Sequence, residues 1–121
     1  MRRYLALLIF TTTCALTPPD PTSRPFPTSV PSRYGPVPVH LVDALTCNNE
    51  PAYGCFHYAP RVIEIEQTMP PPMRWKVLFH EVTHVAIADG SLHFASPEAE
   101  NYVADAVAEQ RLTEFLAHWP R

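Results

Sequence analysis

The chain has no basic patch, no apolar run long enough to span a bilayer, few cysteines and no internal repeat. Its 9 Lys and Arg against 12 Asp and Glu leave a formal net charge of −3. A surface without clustered positive charge cannot neutralise phosphates, so nucleic acid is excluded as a partner. The N-terminal apolar run, Tyr4–Phe10, falls well short of the ~20 residues that a transmembrane helix needs. At 121 residues there is room for one domain at most.

Two N-terminal segments read as lying outside that domain. Residues 1–14 carry Arg2 and Arg3, the short apolar run, three threonines and then Cys14, the order of an export signal. Cys14 just after the apolar run is similar to the lipidated cysteine of bacterial lipoproteins, although Thr11–Thr13 match the usual lipobox poorly. The alternatives are a membrane tether through Cys14 and plain cleavage near Ala15. Residues 15–38 are rich in proline, which fixes φ and removes a backbone donor. An extended, polyproline-like spacer is expected there. The expected location is exported: periplasm or cell envelope. Loss of Arg2 and Arg3 takes the net charge to −5 (−3 less two positive charges).

Residues 39–121 are then the folded unit, small enough to use a disulfide or a metal as a staple. Cys47 and Cys55 are either a disulfide, which an oxidising compartment favours, or two buried thiols. Residues 37–43, VPVHLVD, alternate and read as a strand; TCNNEPAYGC is turn-rich; in CFHYAPRVIEIEQ, Ile63 and Ile65 alternate with Val62, Glu64 and Glu66. These segments predict a short β-hairpin or meander. Pro70–Pro72 then open a helix that Gly90 ends, and its apolar residues cover most of its circumference, as in a helix buried at a domain's centre. Ser96 and Pro97 open a second helix running to about His118. The fold class expected is α+β, with Trp75, Phe79, Phe115 and Trp119 in the core.

The first helix contains His80-Glu81-Val82-Thr83-His84, an H-E-x-x-H pattern. Residues four apart on a helix point the same way, so His80 and His84 can bind one Zn2+ through neutral imidazoles. Glu81, beside the first histidine, reaches a zinc-activated water rather than the metal, and serves as general base. Six His and eight Glu in 121 residues produce this pattern in roughly 2 per cent of shuffled sequences, so chance is a poor explanation. Burial of three polar groups in an oily helix also needs one, because unpaired buried polar groups are costly. A three-histidine metzincin site is excluded, since Ile87 and Gly90 occupy the positions of its glycine and third histidine. The remaining candidates for a third ligand are acids of the second helix: Glu98, Glu100, Asp105 and Glu109.

HEVTH followed by EAENYVADAVA resembles the gluzincin-type zinc metallopeptidases, in particular small metallopeptidases of phages and bacteria, and more distantly the ImmA/IrrE group. The resemblance spans about residues 55–112. It implies a minimal zincin-like fold, hydrolysis of peptide or protein substrates, and a Glu on the second helix as third ligand. It also implies that Val62–Glu66 is the edge strand along which a substrate lies. Members often carry E-x-x-x-D, whose Asp orients a ligand histidine; here Asn101 stands four before Asp105. Asp105 reads as that orienting group or as a solvated acid. Glu98 sits in the first turn, where the helix dipole alone favours a carboxylate, so Glu100 is the expected third ligand and Glu98 its alternative. Tyr58, His57 and His93 are candidates to steady an oxyanion, or else ordinary surface residues. A non-catalytic zinc-stabilised envelope or lysis accessory lipoprotein, of phage origin, is the competing function.

Overall fold

The computed structural model describes residue 22 and residues 24–117. The expected export signal 1–14 with Cys14, the first part of the spacer, and Trp119 lie outside the described residues. Among the described residues no helix is long and apolar enough to cross a membrane.

The architecture is a mixed sheet followed by two helices, an α+β fold. The alternation in RVIEIE places Ile63 and Ile65 at 0% exposure, while Val62, Glu64 and Glu66 stay partly wet. This strand, β6 (Arg61–Glu66), forms an antiparallel hairpin with β5 (Gly54–Tyr58), in the register Phe56 opposite Ile63. On its other side β6 pairs with β2 (Val37–Val42), and this pairing is parallel, from Val39 opposite Ile63 to Val42 opposite Glu66. The expected hairpin is thus present as β5–β6, and a parallel contact with β2 extends it into a mixed sheet.

The parallel arrangement follows from the chain between β2 and β5. There β3 (Thr46–Cys47) and β4 (Glu50–Pro51) form a small ladder. Asn48 and Asn49 turn it at φ 53° and 65°, the left-handed region that Asn tolerates and a two-residue hairpin turn requires. This excursion carries the chain past β2, so the following hairpin docks through its second strand. Val62–Glu66 is consequently a central strand, and the outer strand is β5; with β1 (Ser29–Val30) on the far side of β2, the order is β1-β2-β6-β5. The resemblance had implied an edge here, and alternation could not correct it, because it reports which faces of a strand are wet and says nothing about which of its edges are paired.

The spacer expected over 15–38 also ends earlier. β1 (Ser29–Val30) pairs with Pro38 and Val37, and Val30 and Val37 are both core residues. Phe26 packs against Trp75 at 5.2 Å between ring centroids, and the Trp75 indole N–H donates to the Thr22 carbonyl at 3.2 Å. The prolines are compatible with this: Pro31 and Pro36 lie between β1 and β2, and Pro38, opposite Ser29 in the β1 ladder, precedes the register with β6.

Helix α1 (Pro71–Asp89) starts with Pro71 and Pro72, whose missing N–H groups would have had no helical partner there. It ends at Gly90, whose N–H donates to the Ala86 carbonyl at 2.9 Å. One side of α1, through Trp75, Leu78 and Val85, covers Val37, Val39, Phe56, Ile63 and Ile65 of the sheet. Helix α2 (Pro97–Ala117) is capped by the Ser96 hydroxyl, which accepts from the Ala99 N–H at 3.1 Å. Its Ala104 and Ala108, one turn apart and at 0% exposure, bring it close along α1. Trp75 stacks on Phe115 at 4.7 Å, and Phe79 meets Phe115 edge-on, closing the far end of the pair. Cys47 and Cys55 form a disulfide that ties β3 to β5, with 5.7 Å between Cα atoms.

Candidate metal centre

The helical spacing of His80 and His84 brings their rings together at 4.7 Å between centroids, with the two Nε2 atoms 2.9 Å apart. Each Nδ1 faces a carboxylate of α2: His80 Nδ1 lies 2.7 Å from Asp105 Oδ1, and His84 Nδ1 lies 3.1 Å from Glu100 Oε1. Carboxylates only accept, so these partners assign the proton of each ring to Nδ1. Both Nε2 lone pairs then face one point. Two nitrogens on one zinc ion stand roughly 3.3 Å apart at tetrahedral angles, close to the spacing between these rings. Backing of a ring's Nδ1 by a carboxylate is also how metal-binding imidazoles are held in tautomer and orientation. The two histidines therefore fit a zinc ion. Burial, reinforced by His84, lowers the His80 pKa against the opposing pull of Asp105, which favours the neutral form that a metal requires.

Glu81 points to the sheet side of the same cleft. It is 5% exposed, and burial pushes its carboxyl up to about 7, against the opposing pull of His84 and the Phe56 N–H. A carboxylate titrating near neutrality is suited to taking and returning a proton. Gly54 makes room for it. A Cβ at Gly54 would stand 2.5 Å from Val77 Cγ1 and 2.9 Å from Glu81 Oε1, so β5 can pass α1 here only without a side chain.

The acids expected to supply a third ligand do not lie beside the paired Nε2 atoms. Glu100 reaches the cleft but contacts the Nδ1 of His84, the nitrogen turned away from His80. Glu98 is exposed and the cleft is lined without it. Among the described residues no group of three or more His, Cys, Asp or Glu is arranged to hold an ion. Near the paired Nε2 atoms stands instead Asn101, whose Oδ1 is 3.1 Å from His84 Nε2 and within hydrogen-bonding reach of His80. Asp105, for which both an orienting and a solvated role were open, contacts His80 Nδ1 while its side chain stays largely exposed.

The cleft, about 360 Å³, is bounded by β5 through Gly54, Phe56 and Tyr58, and by residues of the β3–β4 ladder. It adjoins a second cavity of about 570 Å³ that shares Tyr58, Pro97 and Glu100 and extends to His93. Of the three oxyanion candidates, Tyr58 lies at this junction. Burial, then Glu100 and Glu81, raise its pKa, so its hydroxyl stays protonated and able to donate. His57 is paired with Glu64 at 2.5 Å, and His93 sits exposed on the loop between the helices.

No family model, curated protein or solved structure matches the chain. The site is thus read from its own geometry. Two of its residues carried no functional reading in the sequence. Gly54 looked like a turn residue, since the sequence does not say which helix crosses it. Asn101 was visible only as the residue four before Asp105, one turn of helix away and so on the same face.

Proposed function

We propose that the chain is a small zinc metallopeptidase that hydrolyses peptide bonds, with His80 and His84 holding the ion and Glu81 as the catalytic base. The observation that carries this reading is the convergence of the two Nε2 atoms at 2.9 Å beside a buried carboxyl pushed up to about 7. When bound, zinc polarises a carbonyl and acidifies water, the two things peptide hydrolysis needs near neutral pH. Glu81 takes a proton from the attacking water and returns it to the departing amine. Asp105 and Glu100 hold the two rings by their Nδ1 protons, so that neither imidazole turns away during the reaction. Tyr58 donates from the rim of the cleft toward the oxygen that gains charge. The substrate is an extended peptide, added antiparallel or parallel along the outer strand β5, where main-chain groups supply affinity.

Export to the periplasm or cell envelope belongs to the same proposal, and the Cys47–Cys55 disulfide supports it, because such bonds persist in oxidising compartments. The test is incubation of zinc-loaded wild type and Glu81→Gln with a peptide mixture, followed by mass spectrometry. Wild type is expected to cut, and Glu81→Gln to bind zinc without cutting. Equal cleavage by both would sink the proposed base. Zinc binding by a wild type that cuts nothing would leave a metal-stapled domain instead.

A further inference from the structure

We infer that the third protein donor of the metal centre is the Asn101 amide oxygen, so that the ion is held by three neutral groups, while Glu100 acts as the positioning residue of His84. This deepens the zinc reading and rests on it.

The inference follows from counting donors and acceptors around the two rings. Asp105 and Glu100 accept the Nδ1 protons of His80 and His84. That leaves Nε2 of each ring as a bare lone pair, 2.9 Å from the other. Asn101 Oδ1, 3.1 Å from His84 Nε2 and within reach of His80, adds a third acceptor to the same point. Three acceptors turned on one another with no donor among them repel, and a cation at their centre removes the repulsion. Oxygen of a side-chain amide is a competent, though weak and uncharged, metal donor.

Geometry separates the roles of the two neighbours on α2. Asn101 and Asp105 are one turn apart and share a face, and both reach the histidines, one at Nε2 and one at Nδ1. Glu100 is rotated by one residue, about 100°, and meets only the far nitrogen of His84. The seam formed by Ala104 and Ala108 fixes this rotation, since both are fully buried against α1. No residue of the β3–β4 ladder or of β5 brings a hydrogen bond to either ring, although both elements border the cleft.

A neutral donor set leaves the full +2 charge of zinc uncompensated by its protein ligands. Affinity is then lower than with a carboxylate in the same place, and a carboxylate introduced there raises it. Zinc affinity of the full folded chain, measured by competition with a chromophoric chelator at pH 7.5, reads this directly. Cobalt(II) substituted for zinc gives an independent absorption signature of the donor set. Asn101→Ala is expected to weaken zinc at least ~10-fold and Asn101→Asp to tighten it by a comparable factor, both with altered cobalt spectra. Glu100→Gln keeps an acceptor for His84 Nδ1 and is expected to change affinity less than ~3-fold, with an unchanged spectrum.

A larger loss in Glu100→Gln than in Asn101→Ala, together with a changed spectrum, overturns the inference in favour of Glu100 as the ligand. Unchanged zinc affinity in both Asn101 variants overturns it while leaving the zinc reading intact. Absence of zinc binding by wild type fails the zinc reading itself, and this inference with it. Circular dichroism of each metal-free variant separates misfolding from loss of a donor, and Asn101→Asp, isosteric with the native residue, carries the decision if Asn101→Ala does not fold.

Discussion

Replacing Glu81 by Gln in metal-free protein should make the domain more stable at alkaline pH and leave it nearly unchanged at acid pH. The Glu81 carboxyl, 5% exposed, is pushed from 4.5 to about 7 by burial. The folded state then holds a proton that the unfolded chain releases between those values, so stability falls as pH rises from 4.5 to about 7 and is flat above. At 1.36 kcal/mol per unit, ionising the buried carboxyl costs about 3 kcal/mol at pH 8 and less than about 1 kcal/mol at pH 5. Gln has nearly the same shape and still accepts from the Phe56 N–H, so it avoids only the cost of the charge. Denaturant unfolding of wild type and Glu81→Gln, each stripped with chelator, at pH 5 and pH 8 measures this. Comparing the two proteins cancels the opposing titration of His80, whose lowered pKa makes folding less favourable as pH falls below the ordinary imidazole value of 6.5. The variant is expected to gain about 2–3 kcal/mol on wild type between pH 5 and pH 8. Parallel stability curves for the two would refute the placement of a desolvated carboxyl beside the histidines.

Three further outcomes follow from particular contacts. Gly54→Ala puts a Cβ into Val77 and Glu81 and should cost about 1–3 kcal/mol of stability; peptide cleavage should fall more steeply than zinc affinity, and unchanged cleavage would remove Gly54 from the site. Changing both Cys47 and Cys55 to Ser opens a loop whose ends are 8 residues apart in sequence and should cost about 2–3 kcal/mol, read by denaturant midpoint; an unchanged midpoint would mean the bridge stabilises nothing. The Arg61 guanidinium, 2.7 Å from Asp89 Oδ1, holds the Asp89 carboxyl below its ordinary 3.8. Its contribution is therefore complete above that value and is lost as pH falls through the lowered one, so Asp89→Asn should flatten the acid limb of a thermal-stability profile, and an unaltered limb contradicts the pairing.

Local chemistry was legible in the sequence wherever a single element carries it. Prolines at 70–72 and Gly90 bound α1 because they act on the backbone at their own positions, and Ser96 and Pro97 open α2 in the same way. The face shared by His80 and His84 follows from helical pitch alone. Pairing between elements was not legible. The parallel contact of β2 with β6 depends on where residues 43–53 carry the chain, and β5 became the outer strand for the same reason. The acids of α2 show the limit most clearly: neighbours such as Glu100 and Asn101 differ by about 100° in direction, so which meets Nε2 depends on how Ala104 and Ala108 seat the helix. The extended segment stops short of residue 38 because a high proline content does not bar pairing between the prolines, where Val30 meets Val37.

The most direct measurement of the central claim is the zinc content of purified wild type beside His80→Ala and His84→Ala, with melting temperatures for all three. Convergence of the two Nε2 atoms predicts one zinc per wild-type chain, none retained by either variant, and a lower melting temperature in both than in zinc-loaded wild type. Zinc-free wild type whose melting temperature neither added zinc nor the His80→Ala change alters would contradict it.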